Sequence, residues 1–201
     1  PASPMMVALG GDLGRLRHVV GKAKPAVIVV ETAAIAAAFA GIDTGNAVIV
    51  CGEPFEGAKV FADLIATSPT DAVAVSIEAL KPDTVSAYML TSGSTGLPKL
   101  VELTLGALGA NTAQCQQTVG KAAGWGDLML DWLPWHHAAG AFAMRTTLLE
   151  GGTFYIDDGK PLPALFDQSI RNLSEISVGY YNNVPLGYVM LADALEADPA
   201  L

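Results

Sequence analysis

Short, continuous apolar runs alternate with amphipathic stretches along most of this 201-residue chain. AVIVV (26–30), AVIVC (47–51), VSAYML (85–90), GGTFYI (151–156) and ISVGYY (176–181) are brief and rich in β-branched or aromatic residues. They predict strands, with DLMLDWLP (127–134) as a strand and turn. Between them, Leu13, Leu16, Val19 and Val20 share a helical face, with Asp12 placed to cap it and Pro25 to end it. TAAIAAAFA predicts a small-residue helix. Val60, Phe61, Leu64 and Ile65 predict another, as do Leu105, Leu108, Cys115 and Val119, and Leu165, Phe166, Ile170 and Leu173. PLGYVMLADAL (185–195) predicts a last helix, with Pro185 in its first turn. Continuous apolar strands alternating with helices favour an α/β fold of mainly parallel sheets, with helices on both faces. No repeat or low-complexity tract interrupts the pattern. The stretch ATSPTDAVAVSIEALKPDT (66–84) is read as a loop and as the expected boundary between two sub-lobes.

Composition adds a constraint on partners. Hydrophobic residues make up 51% of the chain and charged residues only 15%, so much of it should be buried; the net charge is −9. An acidic surface repels a phosphate backbone, which argues against nucleic-acid binding. An anionic ligand must therefore be held by a local site. Cys51 and Cys115 lie far apart without metal-site spacing and are expected to be two buried, reduced thiols. The start, PASPMMVALGGDLGRLRHVV, has no basic segment leading into an apolar one, and runs such as TAAIAAAFAGI are too short to span a bilayer. The expectation is a soluble, cytoplasmic protein with no membrane partner, its oligomeric state left open.

One stretch carries chemistry. TSGSTGLPK (91–99) follows a predicted strand with two glycines, four hydroxyls and a lysine. Such a loop turns several backbone N–H groups toward one point, where they bind phosphate oxygens. A Walker-type loop does not fit: Pro98 stands where its second glycine belongs, and Leu100 where its magnesium-binding hydroxyl belongs.

YMLTSGSTGLPKLV resembles instead the phosphate-loop signature of the adenylate-forming superfamily: acyl-CoA synthetases, aryl-CoA ligases, luciferases and peptide-synthetase adenylation domains. Leu100 departs from the glycine usual in that signature, and the histidine often found shortly after it is missing from VELTLGAL. Downstream, WLPWHHAAG (132–140) resembles the family's Pro-x-x-His-x-x-Gly element, matched by Pro134, His137 and Gly140, with His136 in the place usually held by an aromatic. LPWHH, GGTFYIDDGKPLPALFDQSIRNLSEIS and YYNNVPLGYVML look like the feruloyl-CoA synthase branch of the aryl-CoA ligases. Asp157 and Asp158, beside Gly159, read as a solvated turn rather than a metal site, and Trp132 and Trp135 as packing residues.

The resemblance implies a partial AMP-binding N-terminal domain over 1–201. It implies an enzyme that activates an aromatic, feruloyl-like carboxylate with ATP and Mg2+, then passes the acyl group to coenzyme A. By the same resemblance, Thr91, Ser92, Gly93, Ser94, Thr95, Gly96 and Lys99 would bind the ATP phosphates. Lys99 and His137 would be the catalytic residues, with His137 and Gly140 lining the acyl side. No metal ligand is assigned. The family's adenine loop, ribose aspartate, hinge and C-terminal domain with its lysine are not found in these residues. The chain is therefore expected to be an internal fragment, inactive alone. The other reading is a nucleotide- or acyl-binding module of the same fold without catalysis.

Overall fold

The structure is a computed structural model that describes residues 13–91, 96–118 and 127–199. The chain forms two compact units that divide between Ala107 and Leu108. The division does not fall in the expected 66–84 stretch. That stretch holds a helix, Asp71–Glu78, entered through an extended Thr70; the Ser68–Pro69–Thr70 cluster marks a helix start, not a linker.

In the N-terminal unit, β1 (Val27–Val30), β2 (Val48–Cys51) and β3 (Lys59–Val60) form a parallel sheet in that order. Val27 lies opposite Val48, and Val50 opposite Lys59. Helix α1 (Gly14–Ala23) drives Leu16 and Val20 into a core with Ile28, Val30, Phe39, Ile42 and Cys51. It ends at Lys24, whose φ of 44° is left-handed. Its N-cap is Leu13, without a side-chain cap bond; Asp12 lies outside the described residues. Helix α2 (Ala33–Ala37) is capped by Thr32, whose Oγ1 accepts the Ile35 N–H, and tightens into a 3-10 turn over Ala38–Gly41.

Two expectations fail here. Val60 is a strand residue, paired with Cys51; helix α3 (Phe61–Ile65) begins after it, and Phe61, Leu64 and Ile65 are exposed. The β1 residues also alternate instead of burying both faces: Ile28 and Val30 enter the core, while Val27 and Val29 are exposed. The Asp71–Glu78 helix is α4.

The rest of this unit is an antiparallel hairpin of β4 (Val85–Thr91) and β5 (Lys99–Thr104). Strand β5 was not expected, because KLVELT is short and runs straight into α5 (Leu105–Thr118), whose helical pattern dominates the window. On α5, Cys115 is half-buried and not fully buried as expected, while Val119 lies outside the described residues.

The C-terminal unit is built on β6 (Leu128–Asp131), flanked by β7 (Thr153–Ile156) and β8 (Tyr180–Tyr181), all parallel in the order β7-β6-β8. Helix α6 (Ala138–Leu149) follows β6, α7 (Phe166–Glu175) follows β7, and α8 (Pro185–Ala197) follows β8. Met129 and Leu130 are fully buried with Ala143, Thr146 and Thr147 of α6. Thr147 donates its hydroxyl to the Ala143 carbonyl at 2.9 Å, so it sits inside the helix without an unpaired proton. Strand β8 covers only the end of the predicted 176–181 run, and Leu165 is an exposed N-cap, not part of the α7 core face. The α/β class with parallel sheets and flanking helices stands. No helix among the described residues is long and apolar enough to cross a membrane.

Candidate functional site

The glycine-rich stretch closes the β4–β5 hairpin. Thr91, the last residue of β4, lies directly opposite Lys99, the first of β5. Opposed residues of an antiparallel pair project to the same face, so the Thr91 hydroxyl and the exposed Lys99 ammonium share one side of the hairpin base. Gly96 has φ +84°, with no atom within 4 Å of where a Cβ would stand. Its need for glycine is conformational rather than spatial. Ser92, Gly93, Ser94 and Thr95 lie outside the described residues. Leu100 is half-buried in β5 opposite Leu90, so this departure from the glycine usual in the signature falls on the ladder and not in the turn. At the other stem of the loop, His18 Nε2 lies 3.0 Å from the Pro98 carbonyl. A carbonyl only accepts, so the imidazole donates. A pattern reading has no signal for this contact, which joins residues 80 apart.

The second stretch leaves the end of β6. Asp131 closes that strand and is 2% exposed. Its Oδ1 accepts the Leu133 N–H at 2.7 Å, which turns the chain out of the sheet. Its Oδ2 is buried without a hydrogen-bond partner. Burial pushes this carboxyl up to about 6, against the stabilising Leu133 N–H and with the Asp157 charge adding to the rise. Trp132 is anchored by its indole N–H to Asn183 Oδ1 at 2.9 Å, while Trp135 meets Phe154 edge-on.

The His137 N–H bonds to the Pro134 carbonyl at 3.0 Å, closing a tight turn. His137 is then the N-cap of α6, extended at φ −103° and ψ 149°, with its side chain making no cap bond. The ring is exposed and lies 4.3 Å, centroid to centroid, from that of half-buried His136. Burial, then the neighbouring His137, lower the His136 pKa below its ordinary 6.5, so that ring is neutral at pH 7. Gly140 completes the turn by close approach: a Cβ there would stand 2.5 Å from the Leu133 carbonyl oxygen and 2.7 Å from that of Pro134. Pro134, His137 and Gly140 are thus brought together by one turn and one helix start.

Asp157 is a correction. It is 5% exposed, not solvated. Its carboxylate accepts the Gly159 N–H at 2.8 Å, the Ser169 hydroxyl at 2.7 Å and the Asn172 amide at 2.8 Å. It ties the end of β7 to α7, while Asp158 is exposed. Asp131 and Asp157 both end apolar strand runs of a parallel sheet, and that position was the one available signal that they are buried. Among the described residues, no group of three or more His, Cys, Asp or Glu could hold a metal ion.

The family model described as AMP-binding enzyme matches residues 2–200. No curated protein matches the chain significantly. Among solved structures, the chain is similar to a putative long-chain-fatty-acid CoA ligase from Rhodopseudomonas palustris, with 18% identity, TM-score 0.64, and coverage of 88% of this chain and 42% of that one. It is similar to ATP-bound MatB from the same organism, with 22% identity, TM-score 0.53, and coverage of 81% and 31%. It is also similar to the amide bond synthetase McbA from Marinactinospora thermotolerans, with 19% identity, TM-score 0.57, and coverage of 83% and 31%. At these identities the likeness shows the fold. The chain spans between 31% and 42% of the length of these structures.

Proposed function

We propose, for a chain that belongs to the AMP-binding enzyme family, that it carries the phosphate and acyl elements of an ATP-dependent, AMP-forming acid–CoA ligase acting on an aromatic, feruloyl-like carboxylate. The observation that carries this reading is the hairpin base, with Thr91 opposite Lys99 and a left-handed Gly96 in the turn between them. That base holds a hydroxyl and a cation on one face beside a chain able to turn its N–H groups inward.

In the proposed reaction, a carboxylate oxygen of the acid attacks the α-phosphorus of ATP, and the α–β P–O bond breaks to release pyrophosphate. The coenzyme A thiolate then attacks the acyl carbonyl carbon, and the acyl–O bond breaks to release AMP. Thr91, Ser92, Gly93, Ser94, Thr95 and Gly96 hold the β- and γ-phosphates, and Lys99 neutralises charge that builds on the departing pyrophosphate. The Mg2+ that accompanies the triphosphate would neutralise part of its charge, and no group of three or more His, Cys, Asp or Glu among the described residues is placed to hold it.

His137 and Gly140 serve the acyl side. The first N–H groups of α6 lack intrahelical acceptors, and a carboxylate is stabilised at that end of a helix. His137 stands beside them with its ring free of any cap bond.

The test is acid-dependent exchange of labelled pyrophosphate into ATP by the complete polypeptide. Ferulate should support exchange, and Lys99→Ala should slow it by about one to three orders of magnitude, roughly 1.4–4 kcal/mol of barrier. Exchange with aliphatic acids but not aromatic ones would remove the substrate assignment. No exchange with any carboxylic acid would remove the ligase reading.

A further inference from the structure

We infer that Trp132 and Asn183 are positioning residues for the acyl-side turn, acting through the hydrogen bond from the Trp132 indole N–H to Asn183 Oδ1. The inference rests on the proposed acyl role of His137 and adds two residues to it.

The bond continues a register. Strands β6 and β8 pair at Met129 with Tyr180 and at Leu130 with Tyr181, and their ladder stops there. Trp132 and Asn183 each lie two residues further on, so they stand at matching positions just past the ladder. Their side chains join the two segments where the backbone bonds have ended.

That place is suited to a ligand. Strands β7 and β8 flank β6 on opposite sides. Right-handed crossovers, the rule for parallel strands, put α6 and α7 on opposite faces of such a sheet. Helix α8 packs beside α7. The segment leaving β6 for α6 and the one leaving β8 for α8 therefore part at the carboxyl ends of their strands, where open parallel sheets receive ligands. The Trp132–Asn183 bond spans that parting.

The other restraints on the turn act elsewhere. Asp131 Oδ1 takes the Leu133 N–H from two residues away, which shapes the turn but does not tie it to β8. Trp135 meets Phe154 of β7, on the far side of β6. Asn183, in turn, is itself held. Its Oδ1 also accepts the Val184 N–H at 2.9 Å, and its amide nitrogen donates to the Tyr181 hydroxyl. The Trp132 and Val184 N–H groups can only donate, which fixes the orientation of the amide. A Cβ at Gly187, in the first turn of α8, would collide with that amide. Trp132 is thus bonded to a fixed acceptor, and the turn that carries His137 is set against the start of α8.

Without this bond the turn and the start of α8 are no longer held in step. Only the fraction of molecules in the competent arrangement takes the acid, so its apparent affinity falls by that fraction.

Two variants and their combination isolate the bond. Trp132→Phe removes the N–H and keeps an aromatic ring, while Asn183 Oδ1 retains the Val184 N–H and is not orphaned. Asn183→Leu removes the acceptor at similar volume. In the complete polypeptide, Trp132→Phe should raise the KM for ferulate about three- to tenfold, with kcat and the KM for ATP within about twofold. In the Asn183→Leu background the same change should alter the KM for ferulate by less than about 1.5-fold, because the bond is already gone. A parental KM for ferulate in Trp132→Phe overturns the inference, even where the urea midpoint falls, since packing alone then accounts for the pair. An equal effect of Trp132→Phe in both backgrounds also overturns it, by tracing the effect to ring shape. His137→Ala measured alongside keeps the two ideas apart. Parental use of ferulate there sinks the acyl reading itself, while an impaired His137 variant beside a parental Trp132→Phe sinks the tether alone.

Discussion

His136 and His137 are adjacent histidines with touching rings and opposite environments. Burial lowers the pKa of His136 and keeps it neutral, whereas His137 is exposed at the helix start. Position therefore separates a packing residue from one that can meet a ligand. His137→Ala in the complete polypeptide should raise the KM for the aromatic acid about tenfold, with a smaller effect on ATP, and His136→Ala should disturb acid use less. Steady-state kinetics with each substrate varied in turn gives the comparison. Greater damage toward the acid in the His136 variant would mean that the Pro-x-x-His-x-x-Gly match is one residue out of register.

Strand β6 and the turn that follows it carry the residues of the proposed acyl side. The turn is built on a buried carboxylate with one satisfied oxygen and one orphan. A folded-state pKa of about 6 for Asp131, against an ordinary 3.8, means that folding favours its protonated form. The sign follows from linkage. The group costs nothing below about pH 4, and stability is lost as pH rises from about 4 through 6. The loss is at most about 3 kcal/mol. Asp131→Asn keeps an oxygen for the Leu133 N–H and cannot ionise. Its urea midpoint should therefore gain on the parent as pH rises from about 4 to 7, whatever the offset between them at pH 4. A difference that stays constant over that range would show that Asp131 does not titrate as its burial requires.

At the scale of the whole chain, the net charge of −9 opposes the approach of a polyanion such as ATP. The proposed loop acts only at short range, through N–H groups, hydroxyls and Lys99. Raising the salt screens both effects, and long-range repulsion is screened first. Stopped-flow association of ATP should therefore stay level within about threefold, or quicken, between low and physiological ionic strength. A steep fall would reveal a basic funnel that the composition does not suggest.

Both motifs were legible in the sequence because each is a local requirement. A tight hairpin turn needs glycine where φ is positive, as at Gly96. A helix that starts against its own preceding turn needs glycine where the carbonyls of Leu133 and Pro134 crowd it, as at Gly140. The class of fold was legible for the same reason: strand and helix periods are properties of neighbouring residues. Strand β5 was not, because its pairing with β4 is a relation between two segments that neither displays alone. Val60 was drawn into a strand by β2 against its helical surroundings, and Asp157 was drawn inside by Ser169 and Asn172, which its own neighbours do not foreshadow. The His18–Pro98 bond is the extreme case, spanning 80 residues and using a carbonyl that every residue possesses. Local chemistry is written in residue types, whereas contacts between distant backbone atoms exist only once the core has set their separation.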